Sequence, residues 1–89
     1  MKDKREKLQI IFDILKAIQD GKVKPTHIMY RANLSHDMMN FYINDLKSKK
    51  FIFESKEKNG KIYTLTQKGF DYISKYKTIV DFIDTFGLE

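Results

Sequence analysis

Apolar residues recur at spacings of three and four near the start of the chain. Leu8, Ile11, Phe12, Leu15 and Ile18 form one stripe, and Ile10, Ile14 and Ala17 form a second beside it. This is a helical period, and so wide an apolar surface predicts a helix over residues 4–20 that is buried on two sides. Gly21 follows, a residue suited to the left-handed backbone after a helix end. Val23 is a lone β-former, expected in a very short strand. Pro25 fits the first turn of a second helix over residues 25–32, with Ile28 and Met29 inward. Asn33-Leu34-Ser35 interrupts the pattern, and Ser35 is a good N-cap for a third helix over residues 36–49. The inward positions of that helix are Met39, Tyr42, Ile43 and Leu46.

The period then changes. Phe51-Ile52-Phe53-Glu54-Ser55-Lys56 and Lys61-Ile62-Tyr63-Thr64-Leu65 are strand-like runs on either side of Asn59-Gly60. That arrangement reads as a hairpin with a type I′ turn, in which Asn and Gly both take positive φ. Thr66 can cap a last helix over residues 67–86. Two short helices joined by a tight turn match a helix-turn-helix, and a hairpin directly after the second is a wing. The expected fold is therefore α+β and mainly helical: a winged helix-turn-helix over residues 1–66, with a C-terminal helix over residues 67–89 in the same domain.

Length and composition narrow the picture. Eighty-nine residues leave no room for a second core. So short a chain buries only about 60–65% of its unfolded surface and gains from a partner. No apolar run exceeds three residues, which argues against a transmembrane helix and a secretory signal. Cysteine is absent, which excludes disulfides and thiolate chemistry. A cytoplasmic, nucleoid-associated location is the expectation.

The net charge of +5 is uneven. Residues 21–50 carry Lys22, Lys24, Arg31, Lys47, Lys49 and Lys50 against Asp37 and Asp45 alone, whereas residues 67–89 are slightly acidic. A basic centre suits a polyanion, although many small basic domains bind nothing acidic. With the third helix's apolar stripe inward, Asp37, Phe41, Asn44 and Ser48 point furthest out. Asn40 and Lys47 flank them on one side, Met38 and Asp45 on the other, and His36 lies in the first turn. Asn40 and Asn44 suit adenine edges, and Lys47 a phosphate. Phe41 suits a thymine methyl, a wedge between bases, or a protein partner. Asp37 and Asp45 would repel phosphates unless they accept from cytosine or pair with a neighbouring cation. The bland alternative is a solvated face on which Asp37 favours the helix N-terminus. Only two arginines stand against fifteen lysines, so little bidentate guanine readout is expected.

Lys56, Lys58, Asn59 and Lys61 cluster at the hairpin tip, where they can reach phosphates or the minor groove; the alternative is a charged edge that prevents aggregation. Glu54 and Glu57 dilute that patch. Lys24, Thr26 and Arg31 are further phosphate candidates around the second helix, though Arg31 can instead pair with an acid of the domain; the capping Ser35 is counted among the DNA-binding candidates. In the last helix Tyr72, Tyr76, Ile79, Ile83 and Phe86 are spaced four, three, four and three, a seam of two heptads. Ile73 and Val80 lie beside it, able to face the body. One small core cannot cover so wide an apolar helix, so a homodimer through this seam is expected. The alternative is that the first and last helices bury each other within one chain.

Thr26-His27-Ile28-Met29-Tyr30-Arg31-Ala32-Asn33-Leu34-Ser35, Phe51-Ile52 with the hairpin, and Leu65-Thr66-Gln67-Lys68-Gly69 together resemble a family of small archaeal winged-helix DNA-binding proteins, proposed as regulators or chromatin-associated proteins. The likeness spans about residues 8–86. It implies duplex binding, sequence-tolerant or operator-type, by a homodimer. In some members the last helix forms a long antiparallel coiled coil; a helix ending near Phe86 would make only a short one.

Two other classes compete. His27, His36 and Asp37 together suggest a metal site, but they fit no standard ligand spacing. No glycine-rich phosphate loop or nucleophile motif occurs, so no enzyme activity, cofactor or small-molecule ligand is expected. The second competitor is a winged helix that binds protein instead of DNA, favoured by Phe41, Met38 and the two aspartates.

Overall fold

The computed structural model describes residues 5–88. The apolar stripes of the first segment form helix α1 (Lys7–Gln19), and Ile10, Ile11, Ile14, Leu15, Ala17 and Ile18 are all buried along it. Leu8 departs from the stripe: it is exposed, because the first turn of α1 reaches past the core. Gly21 follows the helix at φ 95°. Helix α2 (Pro25–Arg31) begins on its proline and buries Ile28. Asn33 makes the turn at φ 54°, a left-handed conformation that asparagine tolerates better than most residues.

Helix α3 (His36–Ser48) starts at Ser35, whose hydroxyl accepts from the Met38 N–H at 3.1 Å. Met39, Ile43 and Leu46 are buried, and Tyr42 is half-buried. The hairpin comprises β1 (Ile52–Glu57) and β2 (Gly60–Leu65), paired antiparallel from Ile52↔Leu65 to Glu57↔Gly60. The two linking residues are thus Lys58 and Asn59, not Asn59 and Gly60. Neither takes a positive φ; Gly60 alone does, at 119°. The expected type I′ turn is therefore replaced by one in which only the glycine needs left-handed freedom. Val23 forms no strand, but its carbonyl accepts from the Tyr63 N–H at 2.9 Å, a single sheet-like link from the α1–α2 loop to β2.

Helix α4 (Gln67–Phe86) is capped by Thr66, whose hydroxyl accepts from the Gly69 N–H. The same hydroxyl donates to the Lys50 carbonyl at 2.6 Å, and Lys68 donates to the Lys49 carbonyl at 3.0 Å. A Cβ on Gly69 would lie 2.5 Å from the Phe51 carbonyl oxygen, so only glycine lets α4 cross there. The Leu65–Gly69 element is thus the clasp between the end of α3 and the start of α4. One core unites Ile14, Leu15, Ile28, Leu46, Ile52 and Ile73, and α4 contributes to it only through its first half. No helix among the described residues is long and apolar enough to cross a membrane.

Candidate nucleic-acid interface

Burial of Met39, Ile43 and Leu46 fixes which side of α3 faces outward. Asp37, Asn40, Phe41, Asn44 and Ser48 are all exposed, as is His36. Phe41 keeps 62% of its surface open and meets the edge of Tyr42 at 5.2 Å between ring centres. Asn40 and His36 lie one turn apart, with Nδ2 and Nδ1 3.3 Å from each other. Asp45 pairs with Lys49 at 3.0 Å, so its charge is answered by a cation of the same helix. Among the described residues no group of three His, Asp or Glu side chains is placed to hold a metal ion.

Lys47 does not simply point to solvent. Its ammonium donates to Glu54 Oε1 on β1 at 2.8 Å. The Tyr63 hydroxyl of β2 donates to the same oxygen at 3.1 Å, and Lys61 Nζ lies 3.9 Å away. Glu54 is therefore the joint between α3 and the hairpin. The Lys47 hydrogen bond holds its carboxyl below the usual carboxylate range, against the opposing effect of partial burial and with help from Tyr63 and Lys61. Burial first, and the adjacent carboxylate second, push the Tyr63 hydroxyl up to about 12.

Strand alternation shows where the remaining lysines lie. Ile52, Glu54 and Lys56 share one face of β1 and stand opposite Leu65, Tyr63 and Lys61. Buried Ile52 and Tyr63 identify this as the inward face. Toward the tip it opens into exposed Lys56 and Lys61, directly opposite one another across the strands. Like charges in that position repel, a cost that a bound anion would relieve. Lys58 and Asn59 are exposed at the turn. In the sequence Glu54 stands out only as a charge that dilutes the lysine patch; its period-two relation to Lys56, and that of Lys61 to Tyr63, is the signal that places them on one face. Two further exposed rings carry no such signal: Phe53 on the outer face and Tyr30 on α2.

Lys24 and Thr26 are exposed around the start of α2. Arg31 pairs with Asp20 at 3.2 Å, the intramolecular alternative. Hydrogen bonding from Lys16 and the nearby Arg31 charge hold the Asp20 carboxyl below its ordinary value. Arg5 donates to Asp13 and to the carbonyls of Ala32 and Asn33, tying α1 to the end of α2. Both arginines thus engage their own chain, and the basic groups beside α3 and at the hairpin tip are lysines.

The five seam residues of α4 fall into two groups. Tyr72 donates to the Leu8 carbonyl at 2.6 Å, and Tyr76 stacks on Phe12 with ring centres 4.7 Å apart. These two tyrosines pack on α1 of their own chain. Burial pushes the Tyr72 hydroxyl up to about 12. Ile79 and Phe86 are exposed and Ile83 is half-buried. Val80 does not face the body: unlike Ile73 one heptad earlier, it lies in the half of α4 that extends beyond the core. A groove of about 350 Å³, walled by Leu8, Phe51, Tyr72, Tyr76 and Ile79, runs along the junction.

Residues 4–84 match the winged helix-turn-helix family. The protein MJ0290 of the archaeon Methanocaldococcus jannaschii is 46% identical over 66 residues, which are 74% of this chain but 29% of that protein. The chain therefore spans less than a third of this relative's length. Sso10a-2, a DNA-binding protein from Sulfolobus solfataricus, superposes with a TM-score of 0.80 at 22% identity, over 92% of this chain and 85% of that one. MepR, a transcription regulator of a Staphylococcus aureus multidrug efflux pump, superposes with a TM-score of 0.77 at 17% identity, over 96% of this chain and 64% of that one.

Proposed function

Because the chain belongs to the winged helix-turn-helix family, we propose that it binds duplex DNA as a homodimer and acts as a transcriptional regulator. The observation that carries this reading is the joining of α3 and the hairpin into one surface. That surface leaves Asn40, Phe41 and Asn44 exposed beside the lysines of the tip. In this reading α3 enters the major groove, where Asn40 and Asn44 meet base edges. Lys58, Asn59 and Lys61 meet the backbone or minor groove, and Lys24 and Thr26 meet flanking phosphates. His36 and Ser35 border the base-reading face. With no arginine there, affinity comes mainly from phosphates and sequence discrimination is modest. That Sso10a-2 is a DNA-binding protein and MepR a transcription regulator supports the reading.

The dimer rests on the exposed apolar side chains of Ile79, Phe82 and Phe86, together with the half-buried Ile83. Pairing through the far half of α4 leaves α3 free in each protomer. A two-fold axis there would set the two α3 helices about 34 Å apart, one duplex turn, and so predicts a two-half-site target. Phe41 and the engagement of Lys47 by Glu54 favour a second reading, a protein-binding winged helix. Titration of a mixed-sequence duplex decides between them. The DNA reading expects binding that weakens steeply with salt, because roughly 6–10 phosphates per dimer release counterions. Failure to bind at ~50 mM salt favours the protein partner.

A further inference from the structure

Glu54 occupies an unexpected place for an acid on a phosphate-binding surface. It is only 23% exposed, lies between α3 and the wing, and draws Lys47 and Lys61 toward one carboxylate oxygen. We propose that Glu54 acts as an internal competitor for phosphate: a duplex gains Lys47 and Lys61 only by displacing the carboxylate, which restrains sequence-independent binding. This rests on the duplex-binding reading above.

The geometry supports competition over simple bracing. The Lys47 side chain is one-third exposed and that of Lys61 about half, so neither is sealed from solvent. Tyr63 also donates to Glu54, which keeps the carboxylate in place when a lysine leaves. The lysine pairs are partly solvated and therefore individually weak, within reach of a dense row of phosphates. On a duplex whose bases suit Asn40 and Asn44, base contacts offset the displacement. On any other duplex nothing does; the displacement costs the same on every sequence, so Glu54 lowers affinity uniformly and leaves unsuitable duplexes, which lack base contacts, weakly bound.

The test compares Glu54→Gln with Glu57→Gln in the full chain, using a mixed-sequence duplex across a salt series. The amide at position 54 keeps an oxygen to accept from Tyr63 but removes the charge that holds the lysines. Glu57→Gln removes an equal charge from the exposed end of β1. Glu54→Gln should bind about 3–10-fold tighter at ~100 mM salt. Its log–log salt slope should steepen by roughly one to two for the dimer, as one or two phosphate contacts are gained. Glu57→Gln should change affinity less than about 2-fold at the same slope.

Identical slopes for wild type and Glu54→Gln overturn the proposal. So does an equal response to both substitutions, or weaker binding by a folded Glu54→Gln protein. If circular dichroism shows Glu54→Gln unfolded, Glu54→Asp serves instead, since its shorter side chain keeps the charge but loses reach to Lys47. A steeper slope then supports competition and an unchanged one overturns it. If no protein in the series binds duplex at ~50 mM salt, the DNA reading itself fails and takes the proposal with it.

Discussion

The surface made by α3 and the hairpin differs in kind from the projecting half of α4. On the first, polar groups find partners within the chain: Lys47 with Glu54, Asp45 with Lys49, Asn40 with His36. On the second, Ile79, Phe82 and Phe86 present apolar area to water, and Phe82 meets only Phe86 of its own helix among described ring contacts. A solvated polar surface costs little, so apart from the open ring of Phe41 the first is complete in one chain. Exposed apolar area forgoes about 25 cal/mol per Å², so the second gains from being covered. The proposed duplex contact and the proposed dimer contact thus fall on opposite kinds of surface, each disturbed by different substitutions.

The largest expected effect comes from Ile79→Asp with Ile83→Asp. Four buried charges per dimer should weaken association by more than ~100-fold, and sedimentation equilibrium should show folded monomers. Native protein that is already monomeric at micromolar concentration would break the contrast. Lys58→Glu with Lys61→Glu leaves α4 alone and should weaken every duplex by roughly 10–100-fold while flattening the salt slope. Gly69→Ala forces a methyl against the Phe51 carbonyl. It should cost about 1–3 kcal/mol, read as a fall in melting temperature. Asn40→Ala should lose about 1–3 kcal/mol on a preferred duplex and little on others, by parallel titrations.

The smallest effect is alkaline. The Tyr63 and Tyr72 hydroxyls titrate near 12 when folded, against an ordinary value of 10. Their contribution to stability is therefore whole below pH 10 and is lost as pH rises through 12. Tyrosinate absorbance should show late titrations from Tyr63 and Tyr72, with Tyr76 also raised by burial, all abolished by prior unfolding.

Much of this was legible from local pattern. The two stripes of α1, the Ser35 cap, the hairpin and the span of α4 all follow from periodicity and capping chemistry. Periodicity reports which side of a helix is apolar, but not how far the body extends beneath it. Ile73 and Val80 share a side of α4, yet only Ile73 meets the core. Leu8 fails for the same reason at the other end of the fold. Asn-Gly marked the hairpin, but the register that moves the turn to Lys58-Asn59 depends on strand pairing. Strand alternation sets Glu54 on one face with Lys56, but its link to Lys47 is unreadable in the sequence because it joins α3 to β1 through tertiary packing.

Mapping the duplex onto the protein by nuclear magnetic resonance, residue by residue at low salt, tests the central claim most directly. Amide and side-chain signals of Asn40, Phe41, Asn44, Lys58, Asn59 and Lys61 should shift together, while those of Ile79, Ile83 and Phe86 stay still. Shifts centred on α4, or none at α3 and the hairpin, would contradict it.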